Sequence, residues 1–286
     1  MEYALEINGL KKKWGSFGID DVTFALPKGC IMGFVGKNGA GKTTTIKAIL
    51  NMLHRDGGEI KIFGKDNIEH EADVKQKIGV VMDSPFYENE WTLLQVGKVL
   101  KPFYRDWSDQ KFTDMLRGFN LDPNKKIKAL SRGMKMKIMV ACALAHDPDL
   151  LILDEPTSGL DAVARDELLE QLQNFISCGG KSILFSTHIT TDLEKIADYL
   201  TFIDNGKIIH SDTKETMLDK YVVVKGPASL TTEQRSHIIG YTENKTEFDG
   251  ITDKANLKSL PKAIKHEPCT MDELVVRFNK EGRNKK

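Results

Sequence analysis

Gly36-Lys37-Asn38-Gly39-Ala40-Gly41-Lys42-Thr43 fits the pattern G-x-x-x-x-G-K-[ST]. Each residue type has a reason to be there. Glycines let the backbone approach a phosphate chain closely with its N–H groups turned inward. A helix opening at the lysine adds the partial positive charge of its N-terminus. Lys42 is expected on the β- and γ-phosphates of a nucleotide, and Thr43 is expected to offer its hydroxyl to Mg²⁺. Further along, Leu150-Leu151-Ile152-Leu153-Asp154-Glu155 is an apolar run ending in two carboxylates. Asp154 is expected in the metal shell, and Glu155 as the base that polarises an attacking water.

These groups need elements that hold them still. Cys30 to Val35 is short and almost wholly apolar, as a strand buried on both faces of a parallel sheet should be. A helix is expected over Lys42 to Leu53, and strands over Ile78 to Met82, Asp149 to Asp154 and Ser182 to Ser186. Between Asp83 and about Ala145 the apolar residues recur at helical spacing (Leu93, Val96, Leu100; Phe112, Met115, Leu116), which predicts an inserted helical subdomain. Ala4 to Leu26 reads as short β segments with turns. Asp204-Asn205-Gly206 between two apolar stretches predicts a tight hairpin. After about Asp219 the composition shifts. Strands are expected at Tyr221 to Val224 and Ile238 to Tyr241. Thr270-Met271-Asp272-Glu273 has the form of a capping box opening a last helix through Phe278. The tail Arg283, Lys285 and Lys286 is expected to be a frayed, solvated end.

Composition narrows the function. The 286 residues carry 41 Lys plus Arg against 41 Asp plus Glu, so the formal net charge is zero. Duplex binding needs a basic excess for phosphate contacts, which weighs against a nucleic-acid partner. Cys30, Cys142, Cys178 and Cys269 are far apart and suit neither a zinc site nor a disulfide framework, as expected of reduced thiols in a cytosolic protein. No leader-like apolar segment follows Met1, and no run approaches the roughly 20 apolar residues of a membrane span. A membrane role is therefore expected to depend on a partner.

Five motifs in order resemble those of the ABC ATPase family: the Gly36–Thr43 loop, Leu130-Ser131-Arg132-Gly133-Met134 as the signature, Asp154-Glu155, Ser158-Gly159-Leu160-Asp161 as the D-loop, and His188 as the switch histidine. Trp14 sits where the family has an aromatic that stacks on adenine. The resemblance spans about Glu2 to Asp219. It implies an α/β fold: a P-loop NTPase (RecA-like) core with an antiparallel β subdomain and an inserted helical subdomain (about 84–145). Residues 1–219 would form the ABC ATPase domain, and residues 220–286 a small α+β C-terminal extension. It also implies nucleotide contacts at Trp14, Gly36, Lys37, Asn38, Gly39, Ala40, Gly41, Lys42, Thr43, Thr44, Asp83, Ser131, Gly133 and Asp161. The implied metal contacts are Thr43, Asp154 and Asp83, and the implied catalytic residues are Glu155 and His188. ATP and Mg²⁺ would be the cofactors.

In the family, Ser131 and Gly133 grip the γ-phosphate held by a second cassette, so the resemblance implies a head-to-tail pair, with a sister chain or a second copy. It also implies a separate ABC-2 type transmembrane permease, export of a peptide or drug-like cargo, and a cytoplasmic location on the inner face of the membrane. A soluble ABC ATPase acting on translation or DNA is the alternative. The single cassette, the lack of a long heptad run and the lack of basic excess argue against it. Three positions depart from the family pattern: Arg132 replaces the usual Gly, Met134 the usual Gln, and Asp83 stands where the Q-loop glutamine falls. The aromatic stretch Ser84-Pro85-Phe86-Tyr87-Glu88 with Trp91 has two readings, core packing of the subdomain or a surface that receives a helix of the permease.

Overall fold

A computed structural model describes residues 2–15, 17–227 and 230–284. The chain opens with two long strands, β1 (Tyr3–Trp14) and β2 (Phe17–Pro27), paired antiparallel. One expected turn is present at Gly15, between the two strands; the other breaks in the pattern are β-bulges, with register shifts between Ile7 and Leu10 and between Leu10 and Lys12. Gly9 takes φ 61° there. An extra residue at a bulge breaks the alternation of side chains, so one long strand reads as two short ones.

β3 (Ile31–Val35) follows, then α1 (Lys42–Ile49), which is four residues shorter than expected. Asn51, at φ 52°, turns the chain out of it. β4 (Gly57–Ile62) and the short β5 (Lys65–Asp66) complete a four-stranded sheet in the order β2-β1-β4-β5. α2 (Glu71–Gln76) and β6 (Ile78–Val81) lead into three helices, α3 (Leu93–Leu100), α4 (Asp109–Gly118) and α5 (Arg132–Leu144). Thr92 closes a capping box on α3, and Ser108 caps α4.

β7 (Leu150–Asp154), α6 (Ala162–Ser177), β8 (Ser182–Thr187), α7 (Thr190–Ile196), β9 (Tyr199–Asp204) and β10 (Lys207–Thr213) finish the central sheet, ordered β10-β9-β3-β8-β7-β6. Its five neighbouring strands from β9 to β6 are parallel, and β10 returns antiparallel. The strands buried on both faces, β3, β7 and β8, are the apolar runs seen in the sequence. Along β3 the faces alternate. Met32 and Phe34 join a core shared with the first sheet, while Ile31 and Val35 join the core under the helices.

After α8 (Lys214–Lys220) comes a third sheet. β11 (Tyr221–Pro227), α9 (Thr232–Ser236), β12 (Ile238–Glu243), β13 (Glu247–Asp253) and β14 (Lys265–Pro268) pair as β12-β13-β11-β14. β13 and β14 were not legible as strands; every residue of β14 is exposed, so no alternation marks it. The last helix, α10 (Met271–Asn284), runs past Phe278 and includes Arg283, while Lys285 and Lys286 lie outside the described residues. Among the described residues, no helix is long and apolar enough to cross a membrane, and all four cysteines are free.

Candidate active site

The glycine-rich loop leaves β3 at its C-terminal end and feeds α1. Gly39 (φ 79°) and Gly41 (φ 115°) adopt backbone that L side chains rarely take. A side chain at Gly36 would overlap the Ile203 carbonyl. The β9–β10 hairpin holds the loop from behind. Its turn has Asn205 at φ 46° and Gly206 at φ 75°, the positive pair that a tight hairpin needs. Gly206 N donates to Ala40 O at 2.9 Å, and Lys37 Nζ meets Asp204 Oδ1 at 2.5 Å.

Lys42 is nearly buried. Its Nζ donates to Gly36 O at 2.5 Å and Lys37 O at 3.3 Å, and lies 3.1 Å from Glu155 Oε1. Glu155 reaches it through an unusual backbone. With φ 50°, it turns sharply off the end of β7, anchored by Glu155 N donating to Ser186 Oγ at 3.0 Å. The other carboxylate oxygen, Oε2, is 2.8 Å from His188 Nδ1. Thr43 Oγ1 donates to Asp154 Oδ2 at 2.7 Å, and Ser186 Oγ to Asp154 Oδ1 at 2.7 Å. Ser186 is register partner to Asp154 on the neighbouring parallel strand. Sequence reasoning took Ser186 only as the end of a strand. Its signal was a small polar residue closing an apolar run beside the Asp154 strand.

A cleft of about 360 Å³ lies over these groups. Of the expected residues, Lys37, Asn38, Gly39, Gly41, Lys42, Thr43, Thr44, Asp83, Asp154, Glu155 and His188 line it. Gly36 and Ala40 shape the loop through their carbonyls, as above. Asp83 is exposed on the wall and accepts from Ser84 Oγ at 3.1 Å. Phe17, Arg132 and Ser158 also line the cleft and were not expected there. Trp14 does not line it. It stacks on Phe17, ring centroids 6.4 Å apart, and Lys12 Nζ lies over its ring. The missed signal for Phe17 was a second aromatic at the start of the next strand.

Ser131, Gly133 and Asp161 are also absent from the lining. Ser131 caps α5, its Oγ accepting from Met134 N at 3.3 Å, and Asp161 caps α6, its Oδ1 accepting from Ala164 N at 2.9 Å. The two helix starts adjoin, since a Cβ on Gly133 would sit 3.5 Å from Ala164 Cβ. Both are capped helix N-termini, which attract anions, and the α5 start borders the cleft through Arg132.

A second, apolar groove of about 300 Å³ opens beside Asp83, lined by Met52, Val80, Pro85, Phe86, Tyr104 and Met139 among others. It divides the aromatic stretch between its two readings. Tyr87 and Trp91 pack against the main core, whereas Phe86 is 76% exposed.

The oxygen pair Thr43–Asp154 suits a hard cation. Among the described residues no cluster of three or more His, Cys, Asp or Glu side chains could hold a metal unaided. A divalent ion at this pair would be completed by phosphate and water oxygens, the manner in which Mg²⁺ is usually held.

The family model described as ABC transporter matches residues 19–158. The bacitracin transport ATP-binding protein BcrA of Enterococcus faecalis is 32% identical over 213 residues, covering 73% of this chain and 69% of its own length. Nod factor export ATP-binding protein I of Burkholderia lata is 28% identical over 293 residues, covering 96% of each chain. A solved ATP-binding subunit of an ABC transporter superposes with a TM-score of 0.69 at 30% identity, over 76% of this chain and 92% of that one. The loop, the paired carboxylates and these likenesses agree, and the chain belongs to the ABC transporter family as an ATP-binding subunit that hydrolyses ATP.

Proposed function

We propose that this subunit drives export through a separate ABC-2 type permease, working head to tail with a second cassette at the inner face of the membrane. The observation that carries the catalytic part is the chain of contacts Lys42–Glu155–His188 beside Thr43–Asp154–Ser186. ATP phosphates would sit on the loop N–H groups and Lys42. Their oxygens compete with Glu155 for the Lys42 ammonium, which frees the carboxylate to take a proton from the attacking water. His188 orients that carboxylate. Thr43 and Asp154 would hold Mg²⁺, whose charge offsets that of the phosphates, and Asp83, which lines the same cleft, would approach the ion as the third metal contact.

A second cassette supplies what the first lacks. Ser131 is exposed, and neither it nor Gly133 and Asp161 line their own cleft, which favours their use on a partner's nucleotide. Residues 1–219 would be the ATPase domain with its helical subdomain at 84–145, and residues 220–286 the extension. The groove around Pro85 and Phe86 would receive a permease helix, its apolar lining suiting an amphipathic segment. Export rests on the likeness to relatives named for bacitracin transport and Nod factor export.

The test is Glu155→Gln, which keeps shape and hydrogen bonding but is a very poor base. It is expected to bind ATP, to lose hydrolysis by at least about 100-fold, and to elute from gel filtration with ATP and Mg²⁺ at twice the mass. ATP bound to a species that stays monomeric counts against the paired arrangement.

A further inference from the structure

One residue after His188 α7 begins, and its first residue, Thr190, does not line the cleft. Its Oγ1 donates to Asp272 Oδ1, at the start of α10. This bond links the catalytic loop to residues more than eighty positions away, in the last helix of the chain. α7 is held on its other side as well. Asp192, 1% exposed, lies beside Thr157, with Arg165 Nε 4.0 Å from its Oδ1. Thr157 follows Glu155 by two residues. The helix behind His188 thus sits between the Glu155 segment and the carboxy-terminal unit.

α10 is itself firmly placed. Phe278 packs on Phe202 of β9 with centroids 4.7 Å apart and on His210 of β10 at 5.8 Å. Arg277 ties it to the third sheet: Nη1 donates to Gly240 O at 3.2 Å and to Thr242 Oγ1 at 2.8 Å, and Nη2 donates to Asp249 Oδ2 at 2.7 Å. Met271, Leu274 and Val275 join the same buried core as Leu193 and Ile196 of α7. A helix fixed at several points can act as a reference for the loop it touches. A loop held only by its own strand leaves its side chain more positions to sample, and catalysis loses rate steeply with such misplacement.

We propose that the carboxy-terminal helix is a positioning element for His188, acting through Asp272 and Thr190. Neither residue touches nucleotide; both act by setting where the imidazole meets Glu155. The inference rests on the role given to His188 above.

The experiment uses the full chain with ATP and Mg²⁺. Thr190→Val and Asp272→Ala are each expected to lower kcat by about five-fold, the worth of one well-placed hydrogen bond, with KM for ATP changed by less than about two-fold. Thr190→Ser restores the hydroxyl and with it the rate. The double variant Thr190→Val/Asp272→Ala should be no slower than the slower single variant, because one bond is lost in all three. His188→Ala is the reference for complete loss. Wild-type kcat in both single variants alongside an inactive His188→Ala overturns the inference alone, as does a lowered Tm with kcat unchanged or a fully additive double variant. Wild-type kcat in His188→Ala overturns the reading of His188 and this inference together.

Discussion

Among the described residues, Lys42 and Arg277 are the two most deeply buried cations in ion pairs, each with 5% of its side chain exposed, and they are held in opposite ways. Lys42 lies under an open cleft and is held by two carbonyls and one carboxylate. Arg277 is saturated from within the fold, by Asp249, Glu273, Thr242 and the Gly240 carbonyl. In the proposed site a phosphate would replace the partners of the first, whereas the partners of the second are groups of the fold itself. Burying a charge is costly unless it is paired. The cleft meets that cost with an exchangeable partner and so gains chemistry; the carboxy-terminal unit meets it with fixed partners and so gains a unique geometry.

The variant with the largest expected effect is Lys42→Ala. Losing the point charge on the phosphates should cut turnover by about 100-fold or more and weaken ATP binding, while leaving the melting temperature of the unliganded chain nearly unchanged. Steady turnover near wild type would remove Lys42 from the site. The mirror experiment is Arg277→Ala. It removes the main partner of Asp249, whose carboxyl Arg277 holds down to about 2, leaving it with Thr242 Oγ1 alone of the two, and takes the guanidinium donor from the Gly240 carbonyl. A loss of about 2–3 kcal/mol of stability is expected, tempered by the partial exposure of Asp249. Arg277→Lys should recover little of it, since an ammonium cannot span the same fork of acceptors. Thermal melts decide this. A variant as stable as the parent would mean that the third sheet does not depend on this centre, and the contrast with Lys42 would fall.

The same contrast explains what could be read from the sequence. Gly36 to Thr43 and Asp154-Glu155 were legible because phosphate chemistry fixes residue types at fixed spacing. Strands β3, β7 and β8 were legible because burial on both faces forces an unbroken apolar run. Ser186 escaped because it acts across strands, through the register of β7 with β8, which no local pattern records. Arg277 escaped for the same reason, its only local trace being Glu273 one turn earlier. Phe17 escaped because the choice between it and Trp14 depends on which ring faces the cleft, a question of bulge and twist in β1 and β2. Strand β14, exposed throughout, left no periodic signal at all.

Phe17 sharpens the comparison within the cleft itself. A ring lining the cleft, as Phe17 does, can meet a base directly, whereas Trp14 lies outside the lining, against Phe17 and Lys12. Phe17→Ala should weaken ATP binding by about 1–2 kcal/mol, the usual worth of one stacking surface, and Trp14→Ala by less. Because any base has a π-face, GTP should be affected equally by Phe17→Ala. Titrations with both nucleotides would show it; a Trp14 variant hurt more than a Phe17 variant reverses the assignment.

The smallest effect concerns pH and the seat of α10. His210 lies half-buried between Phe278, stacked at 5.8 Å, and Tyr221, edge-on at 5.8 Å. Burial pushes its imidazole below the ordinary value, with Lys220 adding to the shift while Asp212 and Asp253 oppose it. His146, stacked on Tyr104 at 3.9 Å, is pushed the same way, chiefly by burial. For both rings the unfolded chain binds a proton more readily than the folded one. Their contribution to stability is therefore complete above pH 6.5 and is lost as the pH falls from there toward the lowered folded values. Asp249 acts in a separate window. Its depressed carboxyl stabilises the fold above pH 3.8 and loses that effect only as the pH approaches 2. The melting temperature should stay flat from pH 8 to 7 and drop by a few degrees, about 2–4 °C, toward pH 5.5. His210→Phe should remove the share of that slope owed to the α10 seat and leave the share owed to His146. An unchanged slope in that variant would show that His210 titrates as it does in the unfolded chain, and that α10 sits less tightly on β10 than the stacked rings indicate.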